Sequence, residues 1–411
     1  MAQLRPFLTL LPNASNVARL SCPPYDVVSA AEARALTRDN PQSFMRIIRA
    51  EVDLPETMPP YDERVYEQAR ANLRQFENDG WLQRTARPQL FVYRLYANGH
   101  AQTGVVACCS VDEYEAGLIC KHENTKPDKE NDRTRHMLTL AAHPEPVLLA
   151  YRGRREIEEL LTPICTQKPS FDFDAEDGVQ HTLWQITDAA PIVEAFRNVP
   201  QLYIADGHHR CASAWRAREE LRRQNFAHTG DEAYNFFPAV LFPAEQLHIL
   251  AYNRLLRNLP EWNAKNFLHR LQSEFAFHTN ALPSPASKGE VSLYLEGKWC
   301  GITLHSPVAL DPLAQLDLTR LQQQLFEPYF GIVDQRTDPR VDFVGGIRGP
   351  EALQRAVDRG EAQTAVSLFP PSLDELFAVS DRGELMPPKS TWFEPKLRSG
   401  LFLHPFASSA C

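Results

Sequence analysis

Residues Ile204-Ala205-Asp206-Gly207-His208-His209-Arg210-Cys211-Ala212 decide how this chain is read. The apolar run from Gln201 to Ala205 predicts a buried strand. Asp206-Gly207 breaks it, because glycine enters turns that other residues resist. From Cys211 to Gln224 the spacing of Cys211, Ala214, Trp215, Ala217 and Leu221 predicts a helix with one apolar face. A strand, a tight polar turn and a helix therefore follow one another. The N-terminal end of a helix attracts anions through its backbone N–H groups and its dipole, and Arg210 adds a guanidinium fork suited to phosphate. On this reading Gly207 lets the backbone approach a phosphate, and His208, His209 and Arg210 neutralise its charge. Asp206 is suited to bind Mg²⁺ or to orient a histidine. The competing reading is a plain helix cap by Asp206 with exposed basic neighbours. If the turn is a phosphate cradle, Arg210→Ala abolishes anion binding and leaves the fold intact.

Outward from this turn the chain alternates strands and helices. Upstream, Pro23-Pro24 imposes an extended approach to a rigid corner at Tyr25-Asp26. Ser29 is a suitable cap for a helix over residues 30–37. Residues 46–51 are strand-like in composition. A long amphipathic helix is expected over residues 61–80, with Val65, Ala69, Leu73 and Phe76 on one face. Two strands, 90–96 and 102–110, flank Asn98-Gly99, a strong hairpin signal. A short strand over 117–121 leads into Pro127, which opens a helix to about residue 143. A strand over 146–151, a helix over 154–162, a strand over 182–187 and a helix over 189–197 complete the approach. Downstream, 237–242 reads as a strand and residues 255–261 as a boundary. The later chain predicts a helix over 263–275, a hairpin around Glu296-Gly297-Lys298, and a helix, strand and helix between residues 353 and 379. Gly345-Gly346 followed by Arg348 reads as a turn. The expected division is 1–255 and 256–411, both of mixed α/β character.

Length and composition narrow the class. At 411 residues the chain can bury two cores. Its 43% hydrophobic and 23% charged residues are those of a globular protein. A net charge of −9 and no clear helix-turn-helix argue against nucleic-acid binding. No apolar run reaches the roughly 18–20 residues that span a bilayer. The N-terminus has no convincing signal peptide, so a cytoplasmic location is expected. The eight cysteines form no C-x-x-C pair and read mostly as small buried hydrophobes in a reducing compartment.

Three further polar clusters follow strands or proline turns, where α/β proteins place function. His122-Glu123-Asn124-Thr125, with Lys126, Lys129 and Arg133 beyond, offers a general base or metal ligand in Glu123. It is not an H-E-x-x-H zinc motif, because Lys126 stands where the second histidine is needed. Pro24-Tyr25-Asp26 is either a structural turn or part of a cleft. The segment from Pro388 to Lys396 carries two lysines, Lys389 and Lys396, and two hydroxyls, Ser390 and Thr391, suited to an anionic ligand; Trp392 and Phe393 equally suit a docking tail. Walker, Rossmann and nucleophile-elbow motifs are absent.

PPYDVV, KHENT with its trailing KENDR, IADGHHR and MPPKSTWFEPKLRSGL, taken together, resemble a widespread prokaryotic family of unknown function, DUF1015. The DGHHR turn alone is similar to the phosphate-binding turn of the ParB/sulfiredoxin superfamily, which includes free L-serine kinases. The resemblance implies a ParB/sulfiredoxin-like nucleotide-binding core, elaborated by a second α/β region. It implies that Gly207, His208, His209 and Arg210 are nucleotide-phosphate ligands, aided by Lys126 and Arg133. It implies a kinase-like phosphotransferase that uses ATP or ADP with Mg²⁺, held through Asp206 or Glu123. Glu123 is the first candidate for the base, with Asp206, Asp26 and Glu51 behind it, and His208 is a further catalytic candidate. Tyr25, Asp26, His122, Thr125, Lys389, Ser390 and Thr391 are expected to meet the acceptor. The partners are then a nucleotide and a small molecule; homo-oligomerisation stays open. A nucleotide hydrolase or phosphatase, and a non-catalytic ligand-binding protein on the same scaffold, are the alternatives.

Overall fold

A computed structural model describes residues 2–307 and 311–406; Cys411 lies outside them. The chain adopts the mixed α/β class expected from its sequence. It divides into two compact units, one of residues up to 121, 125–247 and 395 onward, the other of residues 122–124 and 248–394.

The first unit is built on a nine-stranded sheet. Its strands run in the order Ile119–Cys120, Leu202–Asp206, Val147–Tyr151, Phe236–Pro243, His100–Ser110, Phe91–Ala97, Gln180–Gln185 and Phe171–Asp174. The ninth, Leu4–Arg5, pairs with the end of His100–Ser110 at Cys108 and Cys109. Two pairs are parallel, Leu202–Asp206 with Ile119–Cys120 and Phe236–Pro243 with Val147–Tyr151; the others are antiparallel. The unbroken apolar runs at 105–109, 147–151 and 237–242 occupy the centre and are buried throughout, as strands covered on both faces require. Asn98 and Gly99 turn the hairpin with φ of 52° and 78°, the conformation a two-residue turn needs to match strand twist. Cys108, Cys109 and Cys211 are fully buried in this core, and the seven described cysteines are free thiols.

Two local readings differ from the structure. Residues 46–51 form a short helix, Met45–Ile48, and a 3-10 turn, Ala50–Asp53, instead of a strand. Met45, Ile47 and Ile48 all enter the core there, and the Arg46 guanidinium spans the carbonyls of Asn40 and Thr37 and the Asp53 carboxylate. Those contacts lie outside the segment and override its β-branched composition. The polar stretch at 171–174 is a strand, paired with Gln180–Gln185 at the sheet edge. Elsewhere local signals hold: Ser29 and Glu32 form a reciprocal capping box at Ala30–Thr37. Glu63–Asn78 buries Val65, Ala69, Leu73 and Phe76.

The second unit carries a six-stranded antiparallel sheet, ordered Ala276–Thr279, Lys298–Thr303, Glu290–Leu295, Thr364–Leu368, Tyr252–Leu256 and Val341–Gly345. Its two faces bury different partners. Val291, Leu293, Val366 and Leu368 join Phe267 and Leu271 of the helix Ala264–Glu274. Tyr294, Leu255 and Ala365 join Leu353 and Ala356 of the helix Gly349–Asp358. Alternation of side chains along each strand produces this split. The glycine pair 345–346 is explained by packing. A Cβ on Gly345 would sit 2.5 Å from the Trp392 ring, and one on Gly346 would sit 2.5 Å from the Ala251 carbonyl.

Candidate functional site

The strand Leu202–Asp206 ends at Gly207, and the helix His208–Gln224 begins on the next residue. The helix starts three residues earlier than its apolar face implies, so His208, His209 and Arg210 form its first turn. Gly207 has φ 103°, which L-residues with a Cβ adopt only at a cost. A Cβ there would also lie 3.2 Å from Arg210 Nε and 3.4 Å from a Val147 methyl. Gly207→Ala is therefore expected to cost about 1–3 kcal/mol from the left-handed backbone and the crowding together. Urea unfolding of the purified variant measures it, and a loss below about 0.5 kcal/mol contradicts the strained turn.

Arg210 is turned inward. Its side chain is 4% exposed. One guanidinium nitrogen donates to the Pro146 carbonyl and another to Asp206 Oδ2 at 3.0 Å. Burial acts against its charge, yet Asp206, Asp26, Glu145 and Tyr25 outweigh it and hold the pKa above the usual arginine value. Asp206 has cations on both sides, Arg210 on Oδ2 and Lys396 Nζ at 3.6 Å from Oδ1. That is a poor fit for a Mg²⁺ ligand, since a metal ion there would face two positive groups at close range. His209 Nε2 accepts the backbone N–H of Lys126 at 3.1 Å, which ties the start of the helix Pro127–Leu140 to the turn.

A second group of charges lies behind the first. Glu145, between Pro144 and Pro146, is 3% exposed. Ser399 Oγ donates to its Oε1 at 2.5 Å, and the Tyr25 backbone N–H approaches the same oxygen at 3.4 Å. Burial raises the Glu145 pKa against the opposing pull of Arg210, Ser399 and Arg133. Arg133 bonds Asp132 through Nε at 2.9 Å and donates to the Ile48 carbonyl, with its guanidinium 4.4 Å above the Tyr25 ring. Tyr66 Oη completes Asp132 at 2.9 Å. Asp26 is exposed and acts electrostatically on Arg210, Glu145 and Tyr25.

Within the first unit the fold thus brings Tyr25, Asp26 and Arg133 into the electrostatic surroundings of Asp206 and Arg210. Lys126 joins through His209, while Thr125 is turned to Glu130. Glu51 is held by Arg49 at 2.6 Å. Lys396, one of the two tail lysines read as suited to an anionic ligand, lies against Asp206, whereas Glu145 and Ser399 are additions that local pattern does not single out. Lys396 and Ser399 stand in the tail motif, and Glu145 in a Pro-Glu-Pro triplet; rigid proline flanks on a lone acid were the available signal. In the second unit, His122 Nε2 meets Thr391 Oγ1 at 3.1 Å, and the His122 carbonyl accepts from Met386. Glu123 belongs to this unit as well. The tail is fastened by fully buried Arg254, which donates to the Pro388 carbonyl at 3.0 Å. Ser390 Oγ donates to the Pro387 carbonyl, and Lys389 lies 5.5 Å above the Tyr252 ring.

The family model described as "Protein of unknown function (DUF1015)" matches residues 4–319. This chain belongs to the DUF1015 family. A search of curated proteins finds no match to it. Solved structures similar to this DUF1015 chain include a free serine kinase in complex with AMP, 14% identical, covering 71% of this chain and 86% of the kinase at a TM-score of 0.36. A conserved hypothetical protein from Pyrococcus furiosus is 17% identical over 71% of this chain and 90% of its own, at 0.34. SbnI with a C-terminal truncation, from Staphylococcus aureus, is 12% identical over 72% and 85%, at 0.38. Among the described residues, no helix is long and apolar enough to cross a membrane.

Proposed function

We propose that this DUF1015 protein is a small-molecule phosphotransferase, L-serine kinase-like, moving a phosphoryl group from ATP or ADP to a hydroxyl acceptor on a ParB/sulfiredoxin-like core. The observation that carries the reading is the turn at 206–210. A positive-φ glycine with no side-chain cap opens a 17-residue helix at a strand end, where backbone and dipole favour phosphate. Phosphoryl transfer asks chiefly for positioning and charge neutralisation. Gly207 and the first helical turn receive the nucleotide phosphates, with Lys126, Lys396 and His209 around them. Arg210 acts from behind, holding Asp206 and setting the positive field of the turn.

Asp26 is the carboxylate of this unit best placed to serve as base, because it is exposed beside the turn's electrostatic surroundings while Glu145 is buried and Asp206 and Glu51 are ion-paired. It takes the proton of the acceptor hydroxyl as that oxygen attacks the terminal phosphorus, and the shortened nucleotide leaves with the bridging oxygen. Mg²⁺ would arrive with the nucleotide's own phosphates, and no step is assigned to a protein-held ion.

The test is transfer from labelled ATP or ADP to L-serine and a panel of hydroxyl compounds. Transfer to at least one acceptor is expected. Asp26→Asn is expected to lower its rate roughly 10²–10⁴-fold, the usual share of a general base, with nucleotide affinity retained. Glu123→Gln is measured alongside: loss of transfer in that variant alone moves the base from Asp26 to Glu123. No transfer to any acceptor, together with no nucleotide binding by calorimetry, overturns the reading.

A further inference from the structure

Asp26 stands on a corner whose backbone is held from elsewhere in the first unit. The Pro24 carbonyl accepts the Val27 N–H at 3.4 Å, so Tyr25 and Asp26 are the two central residues of a tight turn. The Tyr25 side chain enters the core shared by Ile47, Ile48 and Ala50, while Asp26 is exposed. A functional group on a turn is held less precisely than one on a helix or strand, unless supporting residues lock the backbone that carries it.

Arg49 supplies that support on both sides of Asp26. Its Nη1 donates to the Tyr25 carbonyl and to the Val28 carbonyl, each at 2.9 Å. Its Nε donates to Glu51 Oε1 at 2.6 Å, which sets the direction of the guanidinium. Arg34 holds the Glu51 backbone in turn: Nη2 donates to the Glu51 carbonyl at 2.9 Å and Nη1 to the Val52 carbonyl at 3.0 Å. Arg34 belongs to the helix Ala30–Thr37, whose N-cap Ser29 directly follows Val28. The contacts therefore form a closed ring, from the corner through the helix and Arg34 to Glu51, and back through Arg49 to the corner. The Arg49 side chain is 18% exposed and that of Glu51 19%. Hydrogen bonds from a charged donor, partly shielded from water, are among the stronger ones.

We infer that Arg49 is a positioning residue, which fixes the Asp26 carboxylate by clasping the carbonyls of Tyr25 and Val28, and that Glu51 acts through it. The inference rests on the reading of Asp26 as the base. Arg49 takes no proton itself; it keeps the Asp26 oxygen within reach of the acceptor hydroxyl. A misplacement of about 1 Å in a reacting group costs up to about 10²-fold in rate. Without the guanidinium both carbonyls turn to water and the corner gains freedom. The carboxylate is then in position for a smaller fraction of the time, while the phosphate turn that receives the nucleotide is untouched.

A double-mutant cycle on the full chain tests this, with phosphoryl transfer and nucleotide affinity as readouts. Arg49→Ala is expected to lower kcat roughly 10–100-fold, with the nucleotide Kd unchanged by calorimetry. In an Asp26→Asn background the residual rate no longer depends on that carboxylate, and there Arg49→Ala is expected to change the rate by less than about twofold. Arg49→Lys keeps one ammonium for the two carbonyls and is expected to recover part of kcat. Arg49→Gln carries the same comparison if Arg49→Ala fails to fold. An equal loss in both backgrounds assigns Arg49 to the fold alone and overturns the inference, as does an unchanged kcat in Arg49→Ala. An Asp26→Asn protein that transfers at the full rate, or no transfer by any of the proteins, overturns the reading of Asp26 instead, and the inference falls with it.

Discussion

Replacing Arg210 with alanine is expected to destabilise the protein by about 3–5 kcal/mol, the range seen when one partner of a buried ion pair is removed. The sequence suggests a different outcome, lost anion binding with the fold intact, because Arg210 reads there as a fork facing solvent. In the structure its guanidinium is buried and bridges the Pro146 carbonyl and Asp206. Glu145 and Asp26 act on it as well. Alanine leaves the Pro146 carbonyl without its donor, and leaves Glu145 with Arg133 as its remaining cation of note. Arg210→Lys keeps the charge but not the two-armed geometry, so it should recover only part of the loss. Urea unfolding followed by circular dichroism measures both variants. A loss under about 1 kcal/mol for Arg210→Ala would mean that the guanidinium faces solvent after all.

The second large effect concerns acid. His136 and His181 are buried, 3% and 1% exposed, and burial pushes the pKa of each down from 6.5 to about 3. His136 donates Nε2–H to the Ile47 carbonyl at 2.9 Å, and its Nδ1 has no partner that could accept a proton's hydrogen bond. His181 sits stacked between Tyr93 and Phe173, with the Arg398 cation nearby. Both rings stay neutral in the fold while their unfolded counterparts charge near pH 6.5. The unfolded chain therefore binds more protons as pH falls, so stability present above pH 6.5 is lost progressively down to about pH 3. At 1.36 kcal/mol per unit, each histidine removes at most about 4–5 kcal/mol over that window. Glu145 works in the opposite sense: its raised pKa stabilises the fold where it is protonated and withdraws that support as pH rises through the carboxylate range. The net expectation is a steep stability loss between pH 6 and 4, shallower in a His136→Gln, His181→Phe double variant. Equal slopes in the two proteins, measured by urea midpoints across pH, would exclude this origin.

Elements with local causes were legible. The Ser29–Glu32 capping box, the Asn98-Gly99 turn and the amphipathic face of Glu63–Asn78 each act over a few residues. Residues 46–51 were not, because the partners that make them helical lie at Asn40, Thr37 and Asp53 and in the core. The strand–turn–helix at Asp206 was legible in kind but not in register: the helix begins at His208, because Gly207 alone supplies the turn. Glu145 carried no pattern beyond its flanking prolines, and Ser399 meets it across 254 residues of chain.

By itself, then, the sequence determined the mixed α/β class, most elements, and the polar turn after the Leu202–Asp206 strand. Periodicity, caps and glycine act through the backbone of neighbouring residues, and that information is local. The direction in which Arg210 points was settled by the tertiary structure alone. So was the placement of buried Glu145 beside it. A charge removed from water must find its partner wherever the fold brings one. For Arg210 that partner includes the Pro146 carbonyl, 64 residues away along the chain.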